Sequence, residues 1–265
     1  MSAPGSSLSG QVAVIIGGTS GIGLAAAHAC LAAGAQIVAV GLESVLSEAA
    51  QVALGERASV LTGDARDPQT APGAIAEAVR KFGRCDALYH VAGGSGRRFG
   101  DGPLHELTDE GWAQTLDLNL TSVMHSNRAA VRHFLAAKTP GSILNLASVL
   151  ALHPASQHFT THAYVAAKAA LIGLSRSLAA SYAPHDIRVN VLAPGLVDTP
   201  MAQRAARDET IQRFIRTKQP LDGGRIGEPD DLAAAAVFFL SPLSAFCTGQ
   251  VLAVDGGWSV SEGGL

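Results

Sequence analysis

The stretch QVAVIIGGTSGIGLAAAHACLAAG, residues 11–34, decides the fold. It opens as a short β-branched apolar run, passes through glycines, and ends with the composition of a helix. That succession reads as a buried strand turning directly into a helix. At such a turn the first N–H groups of the helix lack intrahelical acceptors and sit at the positive end of its dipole. Glycines let an anion approach this backbone, so the element suits a pyrophosphate. The spacing is Gly17-x-x-x-Gly21-x-Gly23, not G-x-G-x-x-G, and taken alone it also fits glycines kept for a tight turn and close helix–strand packing.

Outward from this stretch the chain alternates. Further apolar runs at 35–40, 58–63, 86–92, 141–147, 187–193 and 250–255 complete seven expected strands. Helical stretches are expected at 44–54, 69–82, 108–137, 162–183 and 229–240. Strands apolar on both faces and separated by helices imply a parallel sheet with right-handed crossovers. The fold class is therefore α/β: a Rossmann-like doubly wound sheet of seven parallel strands with helices on both faces. No linker or repeat divides it, so residues 9–265 are expected to form one domain behind a disordered tail at 1–8. The segments least like regular structure are 93–103 (GGSGRRFGDGP) and about 200–227. Loops of that length usually serve a site.

Composition narrows the function classes. The 265 residues are 48% hydrophobic and carry a net charge of −3, which gives nucleic acid no electrostatic foothold. Cys30, Cys85 and Cys247 are scattered and form no C-x-x-C, so neither a disulfide framework nor a zinc site is indicated. The N-terminus has no basic region followed by an apolar one. The apolar run at 233–240 is far short of the ~20 residues that cross a bilayer. The expectation is a cytoplasmic protein with no membrane and no metal.

A second feature carries chemistry. HAYVAAKAAL, residues 162–171, sets Tyr164 and Lys168 four apart, on one face of an alanine-rich helix. A half-buried tyrosine beside a snorkelling lysine is the bland reading. The chemical reading is an acid/base pair. A free phenol titrates near ~10, and a neighbouring ammonium stabilises its phenolate and lowers that value.

In combination these residues identify the chain as resembling the short-chain dehydrogenases/reductases of about 250 residues, over residues 9–258. The glycine motif matches at Gly17, Gly21, Ile22 and Gly23, with Thr19 and Ser20 inside it; Ile16 stands where the family usually has Thr. Asp64 and Ala65 in GDARD resemble the adenine contact. His90-Val91-Ala92-Gly93 stands for the usual Asn-Asn-Ala-Gly. Asn119 in LDLNLTS, Ser148 in NLASV, Tyr164 and Lys168 match the catalytic set. PGLVDTPM, residues 194–201, matches the segment that cradles nicotinamide, with Pro194, Gly195, Val197 and Thr199 as its contacts. The resemblance implies Tyr164 as general acid/base, Lys168 tuning it and holding the nicotinamide ribose, Ser148 bonding the substrate oxygen, and Asn119 linking Lys168 to solvent through water. It also implies a homotetramer formed through the helices at 108–137 and 162–183 and the C-terminal strand region.

Cofactor choice is read at the end of the second strand, in IVAVGLESV. Alignment puts Gly41 where NAD-preferring members usually carry an acid, and Leu42 where NADP-preferring members usually carry a cation. Glu43 follows, either to bond a ribose hydroxyl or to start a helix. With no cation in reach of a 2′-phosphate, NAD is favoured and NADP remains possible. The substrate is a small molecule, a secondary alcohol or its ketone. The alternatives are an NADPH-dependent 3-oxoacyl thioester reductase and a catalytically idle nucleotide-binding scaffold. The stretch between Ser148 and Tyr164 is about three residues longer than usual and offers His153, His158, Phe159 and His162 to the pocket. Arg97 and Arg98 are placed near its mouth, either to hold an acidic group or simply solvated. Residues 200–220 are expected to form a mobile amphipathic lid.

Overall fold

The computed structural model describes residues 7–155 and 158–263. Seven strands form one sheet: β1 (Val12–Ile16), β2 (Gln36–Gly41), β3 (Ala58–Thr62), β4 (Ala87–His90), β5 (Gly141–Leu146), β6 (Ile187–Pro194) and β7 (Val251–Val254). Their order is β3-β2-β1-β4-β5-β6-β7 and every pair is parallel. The helices are α1 (Gly21–Ala32), α2 (Ser44–Leu54), α3 (Thr70–Phe82), α4 (Asp109–Leu116), α5 (Ser122–Ala137), α6 (His162–Tyr182), α7 (Gln203–Arg207), α8 (Glu209–Lys218) and α9 (Ala233–Leu240). The doubly wound sheet expected from the sequence is present, and all seven strands lie within two residues of their expected bounds.

Each face of the sheet buries alternate residues of the same strands. Ala13 and Ile15 of β1 share a core with Ala26 and Ala27 of α1 and Ala236 and Phe239 of α9. Val12, Val14 and Ile16 pack on the other side against Ala74 and Ala78 of α3 and Ala130 and Phe134 of α5. All five β1 residues are buried, as a central parallel strand requires. The strand order reverses between β1 and β4, which opens a crevice at the carboxyl ends of the strands.

Four expectations change in detail. The helix expected over 108–137 is interrupted by a π-helical turn at Asp117–Thr121. Residues 200–220, expected as an amphipathic lid, form two short helices, α7 and α8, with Ile211 and Ile215 as the buried side of α8. The stretch 229–240 begins as a 3-10 turn, Pro229–Leu232, before α9. The expected tail of 1–8 is too long at its end: Leu8 is 1% exposed and its N–H bonds the Ala33 carbonyl. Residues 1–6 lie outside the described residues.

One polar cluster between the layers is fully paired. Asn127 of α5 and Asn145 of β5 exchange two amide hydrogen bonds of 2.9 Å, and Asn145 also donates to Ser175 of α6 at 3.0 Å. Phe134 lies flat over the start of β5, where a Cβ on Gly141 would fall 2.3 Å from its ring. Phe134→Ala should therefore cost about 3–5 kcal/mol of unfolding free energy, since it empties the space that a fully buried ring fills. Chemical denaturation measures this, and a loss under about 1 kcal/mol would show that the α5–β5 contact collapses without a cavity.

Candidate active site

The first, fourth, fifth and sixth strands all deliver matched residues to the same edge. Gly17 follows β1, Ala92 and Gly93 lie just past β4, Ala147 and Ser148 follow β5, and β6 ends at Pro194 with Gly195 next. At the end of β1 the chain reverses so tightly that side chains are excluded. Gly17 has φ +88, and a Cβ on Gly23 would lie 2.0 Å from the Gly17 carbonyl oxygen. Gly21, at φ +48, faces Thr199, whose Cγ2 would be 3.1 Å from an added Cβ. The glycine turn and the 194–201 segment thus meet. Ser20, at the N-cap of α1, makes no side-chain capping bond. The first-turn N–H groups are left for an external anion, with no Cβ in the way. This backbone fits a dinucleotide pyrophosphate.

Asn119, Ser148, Tyr164 and Lys168 converge at the same edge. The π-turn carries Asn119, which is fully buried. Its amide donates to the carbonyls of Gly94 (2.9 Å) and Thr115 (3.0 Å), and its Oδ1 accepts from Gly94 N (3.0 Å). An added Cβ on Gly93 would lie 2.9 Å from Asn119 Oδ1 and 3.3 Å from Lys168 Nζ, so all three groups are neighbours. Lys168 is 3% exposed and donates to the Leu146 carbonyl at 2.8 Å. Its Nζ stands 5.7 Å from the centre of the Tyr164 ring. Ser148 hydrogen-bonds the Tyr164 phenol and accepts from Leu150 N at 3.2 Å.

The electrostatics differ from the expectation in one respect. Burial raises the Tyr164 phenol above its ordinary value, and the Ser148 hydroxyl opposes this. The lowering expected from Lys168 does not prevail. The reason is geometric: the ammonium is directed at the Leu146 carbonyl, and it is itself pulled down to about 8 by burial.

Past the end of β3, Asp64 is held by Arg66 through bonds of 3.1, 3.0 and 2.6 Å. The Arg66 guanidinium keeps this carboxyl below its usual range. Ala65 follows it, and Leu42 is 57% exposed. Gly41 is glycine for a reason invisible in the sequence. A Cβ there would meet Thr19 Oγ1 at 2.0 Å, so Thr19 fills the space over the end of β2. Glu43 occupies the N-cap position of α2, as its helix-start reading supposed, with no side-chain capping bond.

His90 replaces the family asparagine as a fully buried ring between Ser126 Oγ (2.8 Å) and the Ala92 carbonyl (3.0 Å). Burial and the charge of Lys168 push it down to about 3, so it is neutral at physiological pH. Of the histidines between Ser148 and Tyr164, His158 packs against Phe214 with rings tilted and centroids 4.9 Å apart, and the His153 carbonyl accepts from Trp258 Nε1 at 3.0 Å. Among the described residues no three His, Cys, Asp or Glu side chains gather as a metal site. Arg98 stacks on Phe99 at 4.6 Å, while Arg97 is held below its ordinary value by burial and by the charge of Arg204 on α7.

Three groups escaped the sequence reading. Asp101 accepts from the N–H groups of Ala163 and Tyr164. Gln219, 2% exposed, clasps Leu196 through both backbone groups, at 2.6 Å to the N–H and 3.2 Å to the carbonyl. Trp258, 1% exposed, meets Phe159 and Phe214 edge-on and joins Leu150 and Ile215 in an apolar cluster against Tyr164. Their partners lie between 23 and 105 residues away, so no local spacing marks them.

The buried ammonium of Lys168 carries a stability cost. Its value falls from 10.5 to about 8 on folding, so the unfolded chain binds this proton more readily. The cost is full below pH 8 and fades as pH rises from about 8 toward 10.5. Lys168→Met should raise the stability of the cofactor-free protein at pH 7 by on the order of 1–3 kcal/mol, with a smaller gain at pH 10. Thermal melts at the two pH values check this; a variant less stable than wild type at pH 7 contradicts it.

Comparison with known proteins agrees with this geometry. A family model described as enoyl-(acyl carrier protein) reductase matches residues 17–259. A 2,5-dichloro-2,5-cyclohexadiene-1,4-diol dehydrogenase of Sphingobium indicum is 34% identical over 255 residues, covering 96% of this chain and 99% of that protein. A 2-dehydro-3-deoxy-D-gluconate 5-dehydrogenase of Escherichia coli is 35% identical, covering 95% and 96%. A 3beta-hydroxysteroid dehydrogenase of Eggerthella lenta is 33% identical, covering 95% and 96%. The crystal structure of gox2181 superimposes with a TM-score of 0.86 at 29% identity, over 96% of this chain and 97% of that one. The match of sequence and fold over nearly the whole length, together with the Ser148, Tyr164 and Lys168 constellation, means that the chain belongs to the short-chain dehydrogenase/reductase family of oxidoreductases.

Proposed function

We propose that this chain transfers a hydride between a nicotinamide dinucleotide, NAD(H) in preference to NADP(H), and a secondary alcohol or its ketone, with Tyr164 as general acid/base. The observation that carries the reading is the meeting of Asn119, Ser148, Tyr164 and Lys168 beside Gly93. Gly17, Thr19, Ser20, Gly21, Ile22 and Gly23 would hold the pyrophosphate, and Leu42, Asp64 and Ala65 the adenosine end. Ala92, Gly93, Pro194, Gly195, Val197 and Thr199 would hold the nicotinamide end, with Lys168 on its ribose. When bound, the dinucleotide supplies or accepts the hydride.

The residues then divide the proton chemistry. Ser148 bonds the substrate oxygen and stabilises charge developing on it. A phenol held above its ordinary value is protonated at neutral pH, the form that delivers a proton to a carbonyl oxygen. Oxidation needs the phenolate, so alcohol turnover should rise with pH through the alkaline range. Lys168, anchored on the Leu146 carbonyl, sets its ammonium 5.7 Å from the centre of the Tyr164 ring, a charge present at neutral pH and lost as pH rises past about 8. Asn119 spans Gly94 and Thr115, holding the loop after β4 against the ammonium.

Several finer points belong to the same reading. The preference for NAD(H) rests on the lack of a cation at Leu42 and on the carboxylate of Glu43 beside it. The substrate side, with Leu150, Phe159, Phe214 and Trp258, favours a ring or branched carbon skeleton. Single-domain organisation over 9–265, a cytoplasmic homotetramer and an unmetallated site complete the proposal. No helix among the described residues is long and apolar enough to cross a membrane. A second reading is reduction of a 3-oxoacyl thioester with NADPH, and the description of the matching family model, enoyl-(acyl carrier protein) reductase, likewise points to a substrate carried as a thioester.

Two measurements test this. Tyr164→Phe should lose at least about a hundredfold in turnover while NADH still quenches Trp fluorescence, because only the proton donor is removed. Retained turnover removes Tyr164 from the mechanism. Titration with NADH and then NADPH should give tighter NADH binding. Tighter NADPH binding, with turnover of an oxoacyl or enoyl thioester, selects the second reading.

A further inference from the structure

Asp101 is a buried carboxylate, 3% exposed, on the glycine-rich loop after β4. It takes part in no salt bridge among the described residues. A charge so placed persists only when hydrogen bonds replace its water. Its two oxygens accept from successive N–H groups of α6: Oδ1 from Ala163 at 3.0 Å and Oδ2 from Tyr164 at 2.9 Å. These are the second and third residues of the helix, whose N–H groups an N-cap side chain ordinarily serves. The residue at the N-cap, Thr161, makes no such bond; its hydroxyl turns back to the Phe159 carbonyl at 3.4 Å. The cap of the helix bearing Tyr164 is therefore supplied from 62 residues away.

The loop that supplies it is itself fixed to the site. Gly94 exchanges two hydrogen bonds with Asn119. A Cβ on Gly96 would lie 2.1 Å from Thr115 Oγ1 and 2.7 Å from Asp101 Cβ, and Asp101 N bonds the Gly96 carbonyl at 3.0 Å. A continuous run of contacts thus leads from Asn119 through Gly94 and Gly96 to Asp101 and the backbone of Tyr164. We propose that Asp101 is a positioning residue for catalysis, fixing the first turn of α6, and with it the Tyr164 phenol, to the loop after β4 that carries Gly93 and to the π-turn that carries Asn119. A carboxylate suits the task twice, since it satisfies two orphan donors and complements the helix dipole. This role rests on the dehydrogenase reading above and adds a residue to it.

The test uses the full chain as Asp101→Asn and Asp101→Ala. Asn keeps one acceptor oxygen of the same shape; Ala keeps none. Cofactor-binding sites are counted by NADH titration, and kcat is expressed per site. The expected result is a fall of about tenfold for Asp101→Asn and about a hundredfold for Asp101→Ala, because sub-ångström misplacement of a reacting group is costly, with KM for the dinucleotide within about twofold of wild type. A purely structural cap would lower Tm and the number of sites yet leave kcat per site unchanged, and that result overturns the proposal. Amide exchange of the cofactor-free protein gives a readout independent of turnover. Peptides covering 94–101 and 161–166 should lose protection together in Asp101→Ala, and loss in only one of them also overturns it. If Tyr164→Phe keeps wild-type turnover, the dehydrogenase reading fails, and the exchange result then decides the Asp101 coupling on its own.

Discussion

The close approach of Gly23 to the carbonyl of Gly17 is the contact on which the architecture rests. It lets α1 begin within five residues of the end of β1. Because β1 lies at the switch in strand order, that turn also sets the floor of the crevice. Any Cβ at Gly23 would drive the helix off the sheet, and with it the apolar contacts of Ala26 and Ala27. The same exclusion of side chains leaves the helix start bare and uncapped, which is what a pyrophosphate needs. Packing and binding are served here by one geometric fact.

Away from that edge the layers are largely apolar, with polar pairs such as Asn127 and Asn145, and the Tyr89 hydroxyl is buried without a partner. Near it the chain buries groups that a merely stable fold would avoid. Lys168 loses water for one carbonyl bond, His90 is kept neutral, and Asp101 is fully engaged by backbone. Each is costly on its own terms, and each lies within the small volume around the Tyr164 helix and β4. A stability cost concentrated where a proton must be moved is the expected trade between a rigid scaffold and a reactive site. Burial also explains why Tyr164 stands above its ordinary value despite its neighbouring ammonium.

The relatives named above carry names of dehydrogenases for a chlorinated cyclohexadienediol, a deoxygluconate and a steroid. Such variety on one scaffold is consistent with a fixed proton site and a variable wall. In this chain the apolar cluster against Tyr164 is built from remote pieces: Val149, Leu150, Ala155 and Phe159, then Ile211, Phe214 and Ile215 of α8, and Trp258. Edge-on ring contacts join Trp258 to Phe159 and to Phe214 of α8, so three segments distant in sequence share one packing unit.

The sequence by itself determined the strand order of events: seven apolar runs, a glycine turn after the first, and a helix bearing Tyr164 and Lys168. These are local patterns, fixed by spacing along the chain, and they were legible because period and composition follow directly from backbone geometry. Asn119 and Ser148 were readable too, though only by resemblance, since neither has a local signature. What only the tertiary structure decided is how the groups face one another. The π-turn that aims Asn119, the Thr19 side chain over Gly41, the Gln219 clasp and the Asp101 cap all join residues far apart in sequence. The direction of the Tyr164 shift belongs with them, because desolvation depends on what surrounds the phenol and not on which residue stands four places along. Spacing places a lysine on the right face of a helix; only packing decides where its ammonium points.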